Sequence, residues 1–143
     1  MTKVGNIFTL FYTDVTGCKV TKELILDEKG VVNDKHYNLD LDRSVLITSL
    51  DSYKLIKKFN INVNYGSLGE NILIDYNPYN LDVGSRFQVG SVILEITQHC
   101  TLCKSFAKID SRLPKLLKSD RGIFAKVLNF GTIKANDSIY LLN

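Results

Sequence analysis

Apolar residues along most of the chain form short runs or alternate with polar ones, which is typical of buried and half-exposed strands. In the segment 91–98, Val92, Leu94 and Ile96 share one face of a predicted strand, and Glu95 lies on the other. Turn residues divide such segments, as in Asp-Val-Thr-Gly at 14–17. The predicted strands cover residues 4–12, 19–26, 43–48, 71–76, 86–89, 91–98, 123–128 and 138–142.

Helical signals occur in two places. Ser49 can cap a helix that runs to Phe59, because Tyr53 and Ile56 recur at helical spacing between them. A second, short helix over 113–118 tolerates Pro114 in its first turn, where a missing N–H costs no hydrogen bond. Closely spaced strands with few crossover helices favour a mainly β, barrel-like fold with a few short helices over a doubly wound α/β sheet.

Length and composition predict one globular domain over residues 1–143, of which 45% are hydrophobic and 23% charged. A chain of this length buries about two thirds of its unfolded surface without needing metals or disulfides. No segment approaches the roughly 20 apolar residues of a membrane-spanning helix, and the first residues lack a signal-peptide cleavage site. Three cysteines are an odd number, which argues against a disulfide framework. We therefore expect a cytoplasmic protein with no membrane partner.

Basic residues are concentrated in the segment 104–126. It carries seven Lys or Arg residues against two Asp, a local charge of +5, whereas the rest of the chain has a net charge of −2. Such a run is either a solvated face or a site for an anion beside the nearby thiols. The modest total charge of +3, with no recognisable nucleic-acid motif, argues against a nucleic-acid partner.

Two of the cysteines, Cys100 and Cys103, form a Cys-x-x-Cys directly after the predicted strand 91–98. A loop at a strand end is a common place for a reactive group, and the following Lys104 and Lys108 would favour a thiolate. Both thiols can instead be inert buried groups. A thioredoxin-like redox pair requires a βαβ setting that this pattern does not offer.

Two further interpretations of the pair involve a metal or sulfur. A tetrahedral zinc site would need Cys100, Cys103, His99 and the distant His36, since the chain has no second Cys-x-x-Cys. In the last interpretation one thiol acts as a soft ligand or sulfur carrier, and the other assists it or is adjacent by circumstance.

Two polar loops contain further candidate site residues. Asp34 and His36 follow Gly30 in one loop, and Glu70 and Asn71 lie between a glycine-rich loop and a predicted strand. Taken singly, each would be a turn residue in most proteins.

Taken in order, these residues resemble the MOSC domain, a family named after the C-terminal part of molybdenum cofactor sulfurases. The register selects Cys103, five residues after Gln98, as the family's functional thiol. Asn33 stands where the family usually has Gly, and Asn tolerates a left-handed backbone better than most residues. The landmarks are the loop Gly-Val-Val-Asn-Asp-Lys-His at 30–36, a strand beginning at Arg43, Gly-Glu-Asn at 69–71, Leu-Asp-Val-Gly at 81–84, Gly90, Thr-Gln at 97–98, Gly-Ile-Phe-Ala-Lys-Val at 122–127, Gly131 and Asp137.

The resemblance implies a MOSC-like β-barrel that binds a molybdenum-pterin cofactor, with Cys103 as molybdenum ligand or persulfide sulfur carrier. The protein would be an oxidoreductase that reduces a small N-hydroxylated substrate with electrons from a separate donor protein. Alternatively, it would be a sulfur transferase that exchanges sulfur with donor and acceptor proteins. The alternative from another class is a non-catalytic zinc- or sulfur-binding module that uses Cys100 and Cys103. The implied cofactor-binding residues are Asp34, His36, Arg43, Glu70, Asn71, Lys104 and Arg121.

Overall fold

The structure is a computed structural model that describes residues 1–101 and 106–142. Its strands are β1 Thr2–Asp14, β2 Gly17–Thr21, β3 Glu23–Asp27, β4 Gly30–Val31, β5 Val45–Ser49, β6 Ile72–Ile74, β7 Arg86–Val89, β8 Val92–His99, β9 Ile123–Val127, β10 Gly131–Lys134 and β11 Ser138–Leu142. The helices within the described residues are a 3-10 helix at Leu41–Arg43, α1 Leu50–Lys58, α2 Phe106–Ile109 and α3 Leu113–Leu116. Within that part of the chain, no helix has the length and apolar character needed to cross a membrane.

Seven strands close into a barrel in the order β1, β11, β7, β8, β9, β5, β6 and back to β1. The pair β5–β6 is parallel and the other neighbours are antiparallel. Alternate residues of each strand point inward, so Leu10, Ile47, Phe87 and Leu94 meet in one buried core. Strand β2 extends the sheet beyond β1, and β10, β3 and β4 form a small second sheet. The prediction of a mainly β, barrel-like fold is confirmed.

Helix α1 connects the parallel strands β5 and β6. Ser49 caps it as predicted, because its hydroxyl accepts a hydrogen bond from the backbone N–H of Asp51 at 3.1 Å. The predicted spacing places Tyr53 and Ile56 on the buried face, where they pack in a second apolar cluster with Leu73 of β6. This cluster also contains Phe106, and it therefore positions α2.

Several predicted boundaries are wrong. The predicted strand 19–26 is two strands, β2 and β3, which belong to different sheets. Strand β10 was not predicted, and it pairs with β3, which is distant in sequence. The helix predicted over 113–118 ends at Leu116, and the strand predicted from residue 43 begins at Val45 because Arg43 ends the 3-10 helix.

Candidate functional site

A cavity of about 460 Å³ collects most of the described candidate residues, and we call it the first cavity. Its volume lies within the range typical of small-molecule sites. Its apolar lining includes Leu39, Leu46, Leu68, Phe106 and Phe124. Among the described residues, its polar lining consists of three cationic side chains, one carboxylate and several neutral or thiol groups: Lys35, Arg43, Arg121, Asp40, His36, Ser44, Ser67, Asn71 and Cys100.

Arg43 and Arg121 approach the cavity from different elements, and each lies over an aromatic ring. The guanidinium carbon of Arg43 is 4.8 Å from the centre of the Phe124 ring in β9. That of Arg121 is 4.2 Å from the centre of the Phe106 ring in α2. Stacking on a ring restricts the position of a guanidinium group while its N–H groups remain able to donate. The cavity therefore has two positive charges of defined position.

Arg121 also retains an unused donor. Its Nη1 donates to the carbonyl of Thr101 at 2.9 Å, and its Nη2 donates to that of Leu68 at 3.2 Å. Its Nε is buried and has no hydrogen-bond partner among the described residues. A buried donor without a partner is costly, so a ligand atom that accepted from it would be favoured.

Asp34 does not line the cavity but fixes the ring of His36, which does. The buried carboxylate accepts hydrogen bonds from the backbone N–H groups of Thr13 at 2.7 Å and His36 at 3.0 Å. It lies 3.1 Å from Nδ1 of His36. Because a carboxylate only accepts, Nδ1 carries the hydrogen, and Nε2 of the neutral ring is left as an acceptor. Burial opposes ionisation of Asp34, but the hydrogen bonds from His36 and Thr13 outweigh it and lower its pKa.

Asn71 lies in the cavity wall with both ends of its amide occupied. Its Oδ1 accepts from the backbone N–H of Leu46 at 3.0 Å, and its Nδ2 donates to Asp34 and to the carbonyl of Phe11, both at 3.3 Å. These bonds connect β5, β1 and the loop after β4. Asn71 therefore fixes the position of the loop that contains Asp34 and His36.

The structure does not bring Glu70 to the cavity. Its carboxylate accepts from the hydroxyl of Tyr53 at 2.6 Å and from the backbone N–H of Gly66 at 3.1 Å. Burial raises the pKa of Glu70, since water is excluded from the carboxylate. Consecutive residues that lead into a strand point to opposite sides, so Asn71 borders the cavity while Glu70 faces α1.

The family model of the MOSC domain matches residues 34–140, which include every candidate site residue. The chain belongs to the MOSC domain family. The match confirms the resemblance drawn from the order of the landmarks. A search of curated protein sequences gives no match to this chain.

Two solved structures are similar to this MOSC domain over most of its length. The YuaD protein from Bacillus subtilis has a TM-score of 0.83 and 18% identity, covering 95% of this chain and 94% of that one. YiiM from Escherichia coli has a TM-score of 0.75 and 19% identity, covering 96% of this chain and 70% of that one. At these identities the likeness shows a shared fold.

Within this MOSC domain, Cys103 and Lys104 lie outside the described residues. The neighbouring Cys100 is buried in the wall of the first cavity, where its N–H donates to the carbonyl of Gly122 at 2.9 Å. His36 lines this cavity, whereas His99 does not. In residues 1–101 and 106–142, no group of three or more His, Cys, Asp or Glu side chains could hold a metal ion.

Lys35, Phe124 and Phe106 are among the lining residues that were not identified as site residues from the sequence. Lys35 stands between Asp34 and His36 in the same loop, so its position already indicated a cation there. Phe124 belongs to the Gly-Ile-Phe-Ala-Lys-Val landmark, which indicated the family but no chemical role for this ring. Phe106 carries no sequence signal for a site role, since its place under Arg121 depends on the packing of α2.

Proposed function

We propose that this MOSC domain binds a molybdenum-pterin cofactor in the first cavity and uses Cys103 as molybdenum ligand or as persulfide carrier. The observation that carries the proposal is the set of cations around this cavity, in a chain whose family landmarks surround it. Arg43, Arg121 and Lys35 come from three separate segments and line the same space. A planar, phosphate-bearing ligand needs such charges, because a phosphate is bound by fixed cationic donors.

The described residues fit that group in two respects. The buried Nε of Arg121 is a donor without a partner in the described part of the chain, which a cofactor oxygen or nitrogen can satisfy. Phe124 and Phe106 contribute apolar faces beside the two guanidinium groups, as a flat heterocycle requires. When bound, the molybdenum centre supplies redox chemistry and a thiophilic site for a thiolate.

The residues of the chain bind and orient the ligand, and one of them holds a proton beside it. Arg43 and Lys35 hold the phosphate, and Arg121 orients the ligand from the opposite segment. His36, fixed through Nδ1 by Asp34, accepts or returns a proton at Nε2 beside the ligand. The lowered pKa of Asp34 keeps its carboxylate ionised at neutral pH, which maintains this orientation of the ring.

Two activities are consistent with this arrangement. In the first, an N-hydroxylated compound is reduced: the N–O bond breaks, two electrons come from a separate donor protein, two protons are taken up, and an amine and water leave. In the second, the outer sulfur of a donor persulfide is transferred to Cys103. A new S–S bond forms there as the donor's S–S bond breaks, and the donor leaves as a thiol.

The test is anaerobic purification of the full chain, followed by molybdenum, pterin and zinc analysis and by intact-mass analysis. We expect molybdenum with pterin in the wild type, its loss in Cys103→Ala and its retention in Cys100→Ala. The gain of one sulfur atom on Cys103 would select the carrier activity. Stoichiometric zinc that is lost in both variants would refute the proposal and support a zinc-binding module.

A further inference from the structure

A second cavity, of about 780 Å³, lies beside the first, and Phe106 and Arg121 belong to the walls of both. None of the cofactor-binding roles above uses the rest of its lining. Three buried residues, Tyr79, Phe106 and Leu117, give it apolar walls, and Pro114 adds to them. Such walls favour a ligand with an apolar body, since removing its apolar surface from water is favourable.

The apolar wall is held in place by hydrogen bonds behind it. The hydroxyl of Tyr79 accepts from the backbone N–H of Ser49 at 2.8 Å and lies 2.6 Å from the hydroxyl of Ser52. The hydroxyl of Ser52 also donates to the backbone carbonyl of Asp120. Burial raises the pKa of Tyr79 to about 12, so this side chain stays neutral at physiological pH. The cavity is therefore formed before any ligand enters.

Positive charge borders these apolar walls. Lys115 and Lys118 line the cavity, and neither has an ion-pair partner among the described residues. Arg121 adds a third cation, and Asp120 is the acidic residue in the described lining. The net charge of these four side chains is +2, which favours an anionic group on the ligand.

We propose that the second cavity is a binding site for a small aromatic anion. The apolar walls take the ring, and Lys115 and Lys118 take the anionic group. This site accounts for part of the basic excess in the segment 104–126, of whose described basic residues only Arg121 lines the first cavity. The proposal does not depend on what occupies the first cavity.

Isothermal titration of the full chain with phenyl phosphate tests the proposal, with phenol and inorganic phosphate as the separate halves of the ligand. We expect a phenyl phosphate site that persists in Arg43→Gln, and binding to that site at least tenfold weaker for each half. The double variant Lys115→Gln/Lys118→Gln should weaken binding of phenyl phosphate at least tenfold. Lys57→Gln/Lys58→Gln, which removes the same charge from α1, should leave it unchanged.

A steric variant separates this cavity from the first. Ser119 is exposed and lines the second cavity, so Ser119→Trp should block phenyl phosphate binding without altering charge or the core. The proposal is overturned if both the lysine variant and Ser119→Trp bind like the wild type. It is also overturned if the single variant Arg43→Gln abolishes binding of phenyl phosphate, because the ligand would then occupy the first cavity.

Discussion

Neighbouring residues in the two site loops differ in role, because some side chains line the first cavity and others are held behind it. Asn71 borders the first cavity, whereas Glu70 bonds to Tyr53 of α1. Asp34 is buried under the loop, and His36 carries its effect to the cavity. These residues could be picked out from the sequence as a group. Their separation into cavity-lining and supporting residues required the direction of each side chain, which a landmark pattern does not contain.

Asn33 shows that the backbone conformation of a single residue can be predicted from its type. Its φ of +79° lies in the left-handed region, as expected for an Asn at a position where the family usually has Gly. This conformation occurs directly before Asp34, so it belongs to the turn that presents the buried carboxylate. Backbone preference was therefore predictable at this position, although the partners of Asp34 were not.

Replacing Asp34 with Asn should destabilise the protein by about 2 kcal/mol at neutral pH. The carboxylate accepts bonds from Thr13, His36 and Asn71, and an amide would place an N–H group against these donors. Urea unfolding measures the difference, with the exposed Asp82→Asn as the control. Equal stability of the two variants would contradict this account of Asp34.

The stability difference between wild type and Asp34→Asn should also depend on pH. The folded-state pKa of Asp34 is below its ordinary value of 3.8, so its contribution is present above that value. The contribution is lost as the pH falls through the folded-state pKa. Unfolding measured at pH 7 and at about pH 3 should therefore show a smaller difference between the two proteins at the acidic pH.

Glu70 should show the opposite pH dependence. Burial raises its pKa above the ordinary value of 4.5, so the folded state binds its proton more tightly than the unfolded state. The free energy of unfolding should then fall as the pH rises from 4.5 through the raised pKa. Thermal unfolding of Glu70→Gln across this range should lack that decrease. The exposed Glu23→Gln should retain it, and identical profiles for all three proteins would contradict the assignment.

At the scale of elements, helix α1 supports the cavity through the loop that precedes β6. The hydroxyl of Tyr53 accepts from the backbone N–H groups of Gly66 at 3.0 Å and Leu68 at 3.3 Å. It donates to Glu70 at the same time. Leu68 lines the first cavity, so the hydroxyl connects the helix to the cavity wall.

Tyr53→Phe should therefore destabilise the protein by about 1–3 kcal/mol, because a buried carboxylate and two N–H groups lose a partner. Tyr76 offers a matched control, since its ring packs on Phe87 and its hydroxyl makes no hydrogen bond to a described residue. Chemical unfolding of Tyr53→Phe and Tyr76→Phe measures both effects. A loss of similar size in the two variants would refute the role given to the Tyr53 hydroxyl.

Elements defined by local pattern were predicted well, and those defined by distant pairing were not. Ser49 and the spacing of Tyr53 and Ile56 identified α1, because a helix is specified by its own cap and face. Strand β10 pairs with β3, which lies early in the chain. A local sequence pattern contains no information about such a distant pairing. For the same reason the sequence does not show that β2 and β3 separate at Lys22.

At the scale of the whole molecule, barrel closure brings the landmark segments together. The order of the motifs along the chain identified the family, but their convergence depends on the pairing of β5 with β9 and of β8 with β9. That pairing brings Arg121 and Phe124 to the same cavity as Arg43, which ends the 3-10 helix. The central claim is that this convergence forms the cofactor site of a MOSC domain.

The most direct test is the molybdenum content per chain of Arg43→Gln, purified anaerobically from cells that make the cofactor. Arg43 lines the first cavity, whereas Arg86 of β7 pairs with Glu95 of β8 and lines neither cavity. We expect about one molybdenum per chain in the wild type and in Arg86→Gln. We expect a roughly tenfold lower content in Arg43→Gln, since a charge-assisted contact is lost. A wild type without molybdenum, or equal content in the two variants, would contradict the account.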